Sequence, residues 1–345
     1  MPIRDAKDQA AGFTNHISKI AIIGATGQIG THLTAALLAT GKHTLTAITR
    51  PTSTRPLPAG LHVARVDYTS PSSDPALVAA LRGQQALIIA LSVAAPRDTL
   101  PRLVRAAAAA GVSYILPSWF GHDPVNDALC ADSLLAARRD EICALVTELG
   151  VSRYILLACN FWYEFSLGGG ADRFGFDFKE RSLVLFDQGE VRINTSTWAQ
   201  CGRAVAAVLG LKEYPEDEMD EGATVGRFCG EGRGVYVSSF RVTQREMWES
   251  VMRVTGTAEK EWKVSYESAE KRWREGRAAL EAGDRAAFTK MLYSRMFVPN
   301  GKGDGDYESR RGLDNEVLGL PVEDLDEWTA VAVGMGERGE VAGSH

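Results

Sequence analysis

From Lys19 to about residue 160 the chain alternates short, uninterrupted apolar runs with longer amphipathic stretches, and few folds accept that order. The runs are Ile20 to Ile23, Thr44 to Ile48, Leu61 to Val66, Ala86 to Leu91, Val112 to Leu116 and Arg153 to Ala158. Helical spacing fills 27–40, 74–82, 97–110 and 131–149 between them. A strand that is apolar on both faces must be covered on both, as in a parallel sheet wrapped by helices. Right-handed crossovers then predict an α/β, doubly wound parallel sheet.

The rhythm breaks after residue 160. Phe161 to Tyr163 lead into a triple-glycine loop, a hairpin-like pair follows (Leu183 to Phe186, Val191 to Ile193), and Thr197 to Leu209 reads as a helix. A strand at Val235 to Phe240 precedes helical sequence from Gln244 to about Met296, and PNGKGDGD at 299–306 reads as a turn region. The expected organisation is a flexible tail over 1–16, a nucleotide-binding Rossmann domain over 17–160 to which 190–210 returns, and a smaller substrate-binding subdomain over most of 161–345. Six acids within 213–221 read as a solvated loop. With 38 basic and 44 acidic residues, the net charge of −6 disfavours nucleic acid and anionic membrane as partners. No apolar stretch has the length of a signal peptide core or a membrane span, so a cytoplasmic protein, monomeric or homodimeric, is expected. The five scattered cysteines and six dispersed histidines show no zinc or disulfide spacing, and no metal is expected.

The strongest motif follows the first run: Gly24-Ala25-Thr26-Gly27-Gln28-Ile29-Gly30. Glycine is needed where the chain turns tightly and where backbone approaches a pyrophosphate, and the helix that starts there offers free N–H groups and a positive dipole end. Gly24, Thr26, Gly27, Gln28, Ile29 and Gly30 are thus candidate cofactor residues; the alternative is a tight turn with glycines for packing alone. After the second run an acid would favour NAD, but this chain has Arg50, Thr52 and Arg55. Guanidinium forks and a hydroxyl suit a 2′-phosphate, so NADPH (NADP) is the expected cofactor, with ordinary exposed charges as the alternative for each arginine. Asp67 is expected near the adenine or as a turn cap, and Leu91, Ser92 and Val93 beside the ribose.

GATGQIG, the arginine after the second strand, Pro117-Ser118-Trp119-Phe120-Gly121 and Asn160-Phe161-Trp162-Tyr163 together resemble the NmrA-like and isoflavone-reductase-like branch of the atypical short-chain dehydrogenases, over about 17–335. The 313–321 segment looks like fungal members. The resemblance implies an NADP-binding fold, with Asn160 among the cofactor contacts. Active relatives reduce aromatic, phenolic or enone-type secondary metabolites; nitrogen-regulator relatives bind the dinucleotide without turnover. Where active members carry a lysine, this chain has Arg139. Arginine stays protonated and cannot act as general base, although it can polarise a carbonyl. No Y-x-x-x-K is present.

The catalytic candidates are therefore Arg139, Ser118, His122 and Tyr163, the last two as proton donors. Trp119, Phe120, Phe161, Trp162 and Tyr163 are candidate walls for a flat substrate, with packing roles as the alternative. The expected activity is NADPH-dependent reduction of a small aromatic or conjugated molecule. An NADP(H) sensor, or a redox-neutral isomerase, dehydratase or cyclase, remains open.

Overall fold

The computed structural model describes residues 5–92 and 95–341, so Val93 lies outside the described residues. Strands β1 (Lys19–Ile23), β2 (Thr44–Thr49), β3 (His62–Arg65), β4 (Ala86–Ile89) and β5 (Tyr114–Leu116) come first, followed by β6 (Phe120–Gly121), β7 (Arg153–Tyr154), β8 (Leu157–Ala158) and β9 (Phe161–Trp162). Six of them form one wholly parallel sheet in the order β3-β2-β1-β4-β5-β7. The order reverses between β1 and β4, and the crevice beyond the strand ends at such a switch point is where open α/β sheets take their ligands. This is the Rossmann-type arrangement that the alternation predicts.

Helices α1 (Gln28–Ala39), α2 (Asp74–Leu81), α3 (Thr99–Ala110), α4 (Asp127–Asp132), α5 (Ala136–Leu149), α6 (Tyr163–Leu167) and α7 (Trp198–Leu209) cover the sheet and its far end. One apolar cluster joins the sheet to α1 and α7 through Leu33, Leu37, Trp198 and Val205. A second, on the opposite face, joins Ile23, Leu87 and Ile115 to α2, α3 and α5. The close approach of α7 to α1 depends on Gly202, where an added Cβ would lie 2.5 Å from the His32 carbonyl oxygen.

The later chain contributes β10 (Phe176–Asp177), β11 (Ser182–Phe186), β12 (Ile193–Ser196), β13 (Val235–Tyr236), β14 (Phe240–Val242), β15 (Lys263–Glu267), α8 (Gln244–Thr255), α9 (Ala269–Glu281), α10 (Ala287–Met296), α11 (Glu308–Arg311) and α12 (Leu325–Arg338). Aromatic side chains, including Phe174, Phe176, Phe186, Trp248 and Phe297, fill a third cluster between these elements. The expected hairpin does not form. β11 pairs in parallel with β15, whereas β12 pairs with β14 and β9, so the two strands lie in different sheets. The segment 5–16 is laid on the acidic loop: Ala6 N–H donates to the Pro215 carbonyl, Asn15 exchanges hydrogen bonds with Tyr214, and Phe13 packs edge-on against Tyr214. Among the described residues no helix is long and apolar enough to cross a membrane.

Candidate active site

The glycine loop is dictated by steric exclusion. Gly24 has φ +84°, and a Cβ there would sit 2.1 Å from the Ala90 carbonyl oxygen; one at Gly30 would sit 1.9 Å from the Gly24 oxygen. Gly27 caps α1 with no side-chain hydrogen bond, so the helix opens with amide N–H groups that no cap occupies. Gln28 at the first turn is exposed, whereas Ile29 is buried in the sheet core. The loop is both packed on β4 and open at the helix mouth.

The two arginines flank it differently. Arg55 reaches back to donate from Nη1 to the Thr26 carbonyl at 3.0 Å. Arg50 stands exposed near Asp67, whose carboxyl is held below the ordinary aspartate value chiefly by the Thr69 hydrogen bonds, with a smaller contribution from Arg50. Thr69 donates to Asp67 through both its hydroxyl, at 2.6 Å, and its backbone N–H, at 3.1 Å. Asp67 therefore caps its turn, and Arg50 keeps a guanidinium facing solvent beside exposed Thr52. Open helix amides, with Arg55 on the glycine loop and Arg50 one residue past the end of the neighbouring β2, fit a phosphorylated dinucleotide. Leu91 and Ser92 lie beyond the end of β4 in the loop that follows, and the Ser118 hydroxyl ties the tops of β4 and β5 together by donating to the Leu91 carbonyl at 3.2 Å.

Past Ser118 the side chains diverge. Trp119 and Phe120 stay half-buried, and Trp162 is half-buried against Phe165 and Trp198. Phe161 instead stacks on Tyr293 at 3.8 Å inside the third core, so its expected place as a substrate wall is corrected. Tyr163 is fully buried, with its ring against Phe240 and its hydroxyl 2.7 Å from Thr329, and it is neither wall nor proton donor in this arrangement. His122 is also buried. One ring nitrogen lies 2.9 Å from the Ser133 hydroxyl and the other 3.3 Å from the Asp123 carbonyl, while burial lowers its pKa to about 4. A neutral ring with both nitrogens engaged is a structural group, not an acid.

Arg139 departs furthest from expectation. Its guanidinium donates to the Pro124 carbonyl (2.6 Å), Asp127 (2.8 Å) and Asp140 (2.7 Å), and it also contacts Cys130 Sγ. Burial opposes the charge, yet the Asp140 and Asp127 carboxylates hold its pKa above the ordinary arginine value. It clasps the loop before α4 onto α5. Asn160, by contrast, sits where the strand ends converge: it is buried at φ +51°, with Nδ2 donating to the carbonyls of Asn194 (2.8 Å) and Gly305 (3.3 Å). Its Oδ1 is buried with no partner among the described residues, an acceptor left over in a strained backbone position.

One group was not singled out by the sequence reading. Glu164, one residue beyond the aromatic triplet, is buried, and burial raises its carboxyl pKa to about 7. Oε1 accepts the Trp198 N–H at 3.0 Å, and Oε2 has no partner among the described residues. A lone acid within the apolar run Leu156 to Leu167 is the signal that would have marked it.

Residues 24–138 match the family model described as NAD(P)H-binding. The chain is 28% identical over 317 residues to a protein of Aspergillus flavus named oxidoreductase aprR, covering 90% of this chain and 97% of that one. Among solved structures, AtPrR2 with NADP+ and (+)pinoresinol superposes with a TM-score of 0.69 at 18% identity, covering 93% of this chain and 100% of the other. Isoflavone reductase superposes with a TM-score of 0.67 at 20% identity, covering 91% and 98% respectively.

Proposed function

We propose that this chain, which carries an NAD(P)H-binding domain and shares its fold with isoflavone reductase, is an NADPH-dependent reductase of a small aromatic or conjugated molecule. The observation that carries the cofactor choice is the pair Arg50 and Arg55 beside an uncapped helix mouth, with Asp67 committed to Thr69. Dinucleotide bound there supplies a hydride. The protein's share is to hold and orient: the α1 amides take the diphosphate, Arg50, Arg55 and Thr52 take the 2′-phosphate, and Leu91, Ser92 and Asn160 face the rest. The exposed edges of Trp119, Phe120 and Trp162 offer a flat apolar contact to substrate, and the Ser118 hydroxyl stabilises developing charge only by turning from the Leu91 carbonyl to which it now donates.

The test is loss of 340 nm absorbance when the purified protein and NADPH meet a panel of enones, quinones and aryl carbonyls. Substrate-dependent NADPH oxidation supports the reading. Tight NADPH binding with no oxidation across the panel favours a sensor, and one feature already points that way: Arg139, His122 and Tyr163 are all engaged internally. Conversion without NADPH loss indicates a redox-neutral enzyme. We place the protein in the cytoplasm and in secondary metabolism, with the 17–160 and 161–345 parts as nucleotide and substrate units.

A further inference from the structure

A second concavity lies along the edge of the sheet, away from the glycine loop, where β13 runs beside β8. It is open, has a volume of about 340 Å³, and is lined by Arg227, Arg233, Arg310 and Arg311 with Tyr236 as one wall. In a chain of net charge −6, four guanidinium groups face one space whose only lining carboxylate among the described residues is Asp314. That carboxylate accepts the Tyr236 N–H at 2.9 Å; burial raises its pKa above the ordinary aspartate value, while that hydrogen bond and Arg227 oppose the shift, so one carboxylate faces four guanidinium groups.

The four arginines are not equivalent. Arg311 donates to buried Asp123 at 2.5 Å, and Arg310 stands 3.9 Å from Asp123 and 3.7 Å from Asp304, so both are held in place by carboxylates behind them. Arg233 is fixed by hydrogen bonds to the Arg227 carbonyl at 2.9 Å and the Gly226 carbonyl at 3.4 Å, and Arg227 acts electrostatically on Asp314, which lines the same cavity. Gly232 and Gly312, both at positive φ with open space where a Cβ would be, leave the floor free of side chains. Asp123 and Asp304 offset Arg310 and Arg311, which leaves Arg227 and Arg233 with Asp314 alone at the cavity; an anion entering there offsets the remaining positive charge, and guanidinium forks match phosphoryl oxygens in pairs.

We infer that this cavity is a second ligand site, separate from the dinucleotide site, which binds a phosphoryl dianion, as inorganic phosphate or as the ester of a small molecule. Two of its arginines share Asp123 with the Tyr236 hydroxyl (2.7 Å), and Asp123 follows the Trp119 to His122 segment at the strand ends. The site thus touches the loop that bounds the substrate side of the cleft.

The experiment is calorimetric titration of the full chain, saturated with NADPH so that the glycine loop is filled, with inorganic phosphate and separately with phenyl phosphate at constant ionic strength. Saturable binding is expected, weakened at least tenfold in R227Q/R233Q while the melting temperature and NADPH affinity stay as in the parent. Tighter binding of phenyl phosphate assigns an ester as the ligand, and equal affinity assigns free phosphate. R227Q alone repeats the test should the double variant melt early, with at least a threefold loss expected. Absence of saturable heat from both probes, or affinity unchanged in the variants, overturns the inference.

Discussion

The two ends of the strand row are built by different physics. At β1 and β2 the backbone decides: Gly24 and Gly30 are required because any Cβ would meet a carbonyl oxygen at about van der Waals overlap, and the helix mouth opens as a consequence. At β5 to β9 the side chains decide, and each of several polar or aromatic groups has a local partner to satisfy before it can face a ligand. Arg139 is drawn to Asp127 and Asp140, His122 to Ser133, and Tyr163 to Thr329. The nucleotide end is therefore rigid in its chemistry, and the substrate end depends on which contacts packing has already claimed.

The sharpest way to break this contrast is Gly30→Ala. The added methyl cannot be placed without moving the loop off β4, so NADPH affinity should fall by on the order of 100-fold or more, together with several degrees of melting temperature. Unchanged affinity by calorimetry would show that the loop tolerates what its geometry forbids. Arg139→Lys probes the other end. A lysine cannot span the Pro124 carbonyl, Asp127 and Asp140 together, so about 1–2 kcal/mol of stability should go in a urea melt. Turnover per folded molecule should be unchanged, and a gain would return position 139 to the catalytic machinery.

Glu164 gives a gentler probe, read as pH dependence. Its folded pKa of about 7 lies above the ordinary 4.5, so the folded state holds the proton more tightly. Stability from this group is complete below about pH 4.5 and is lost as pH rises towards 7, by on the order of 2–3 kcal/mol. Glu164→Gln, which retains an oxygen for the Trp198 N–H, should flatten that slope in melts between pH 5 and 8. A slope unchanged in the variant would assign it to another group.

The same contrast separates what is legible in the sequence from what is not. The parallel sheet and the glycine loop follow from local pattern, since uninterrupted apolar runs and the turn they feed need no distant partner. β15 was hidden inside a stretch that reads as helix because Lys263–Glu267 is a short, largely exposed edge strand whose only apolar residues are Val264 and Tyr266, too few to stand out from the helical spacing around them. The β11 and β12 strands were identifiable as strands, but their partners lie about 80 and 50 residues on, and proximity in sequence favoured a hairpin that does not form. Within the aromatic triplet Phe161-Trp162-Tyr163, type and spacing could not separate Trp162, left half-buried, from its two neighbours in the core, because the choice is made by Tyr293 and Thr329 far along the chain.

Guanidinium recognition of a 2′-phosphate at the rigid end is tested most directly by calorimetric affinity for NADPH and NADH in the parent and in Arg50→Glu. A charge-assisted contact is worth about 1.5–3 kcal/mol, so the variant should lose roughly tenfold or more in NADPH affinity while NADH changes little. Equal losses for the two nucleotides, or a parent protein that binds neither, would contradict it.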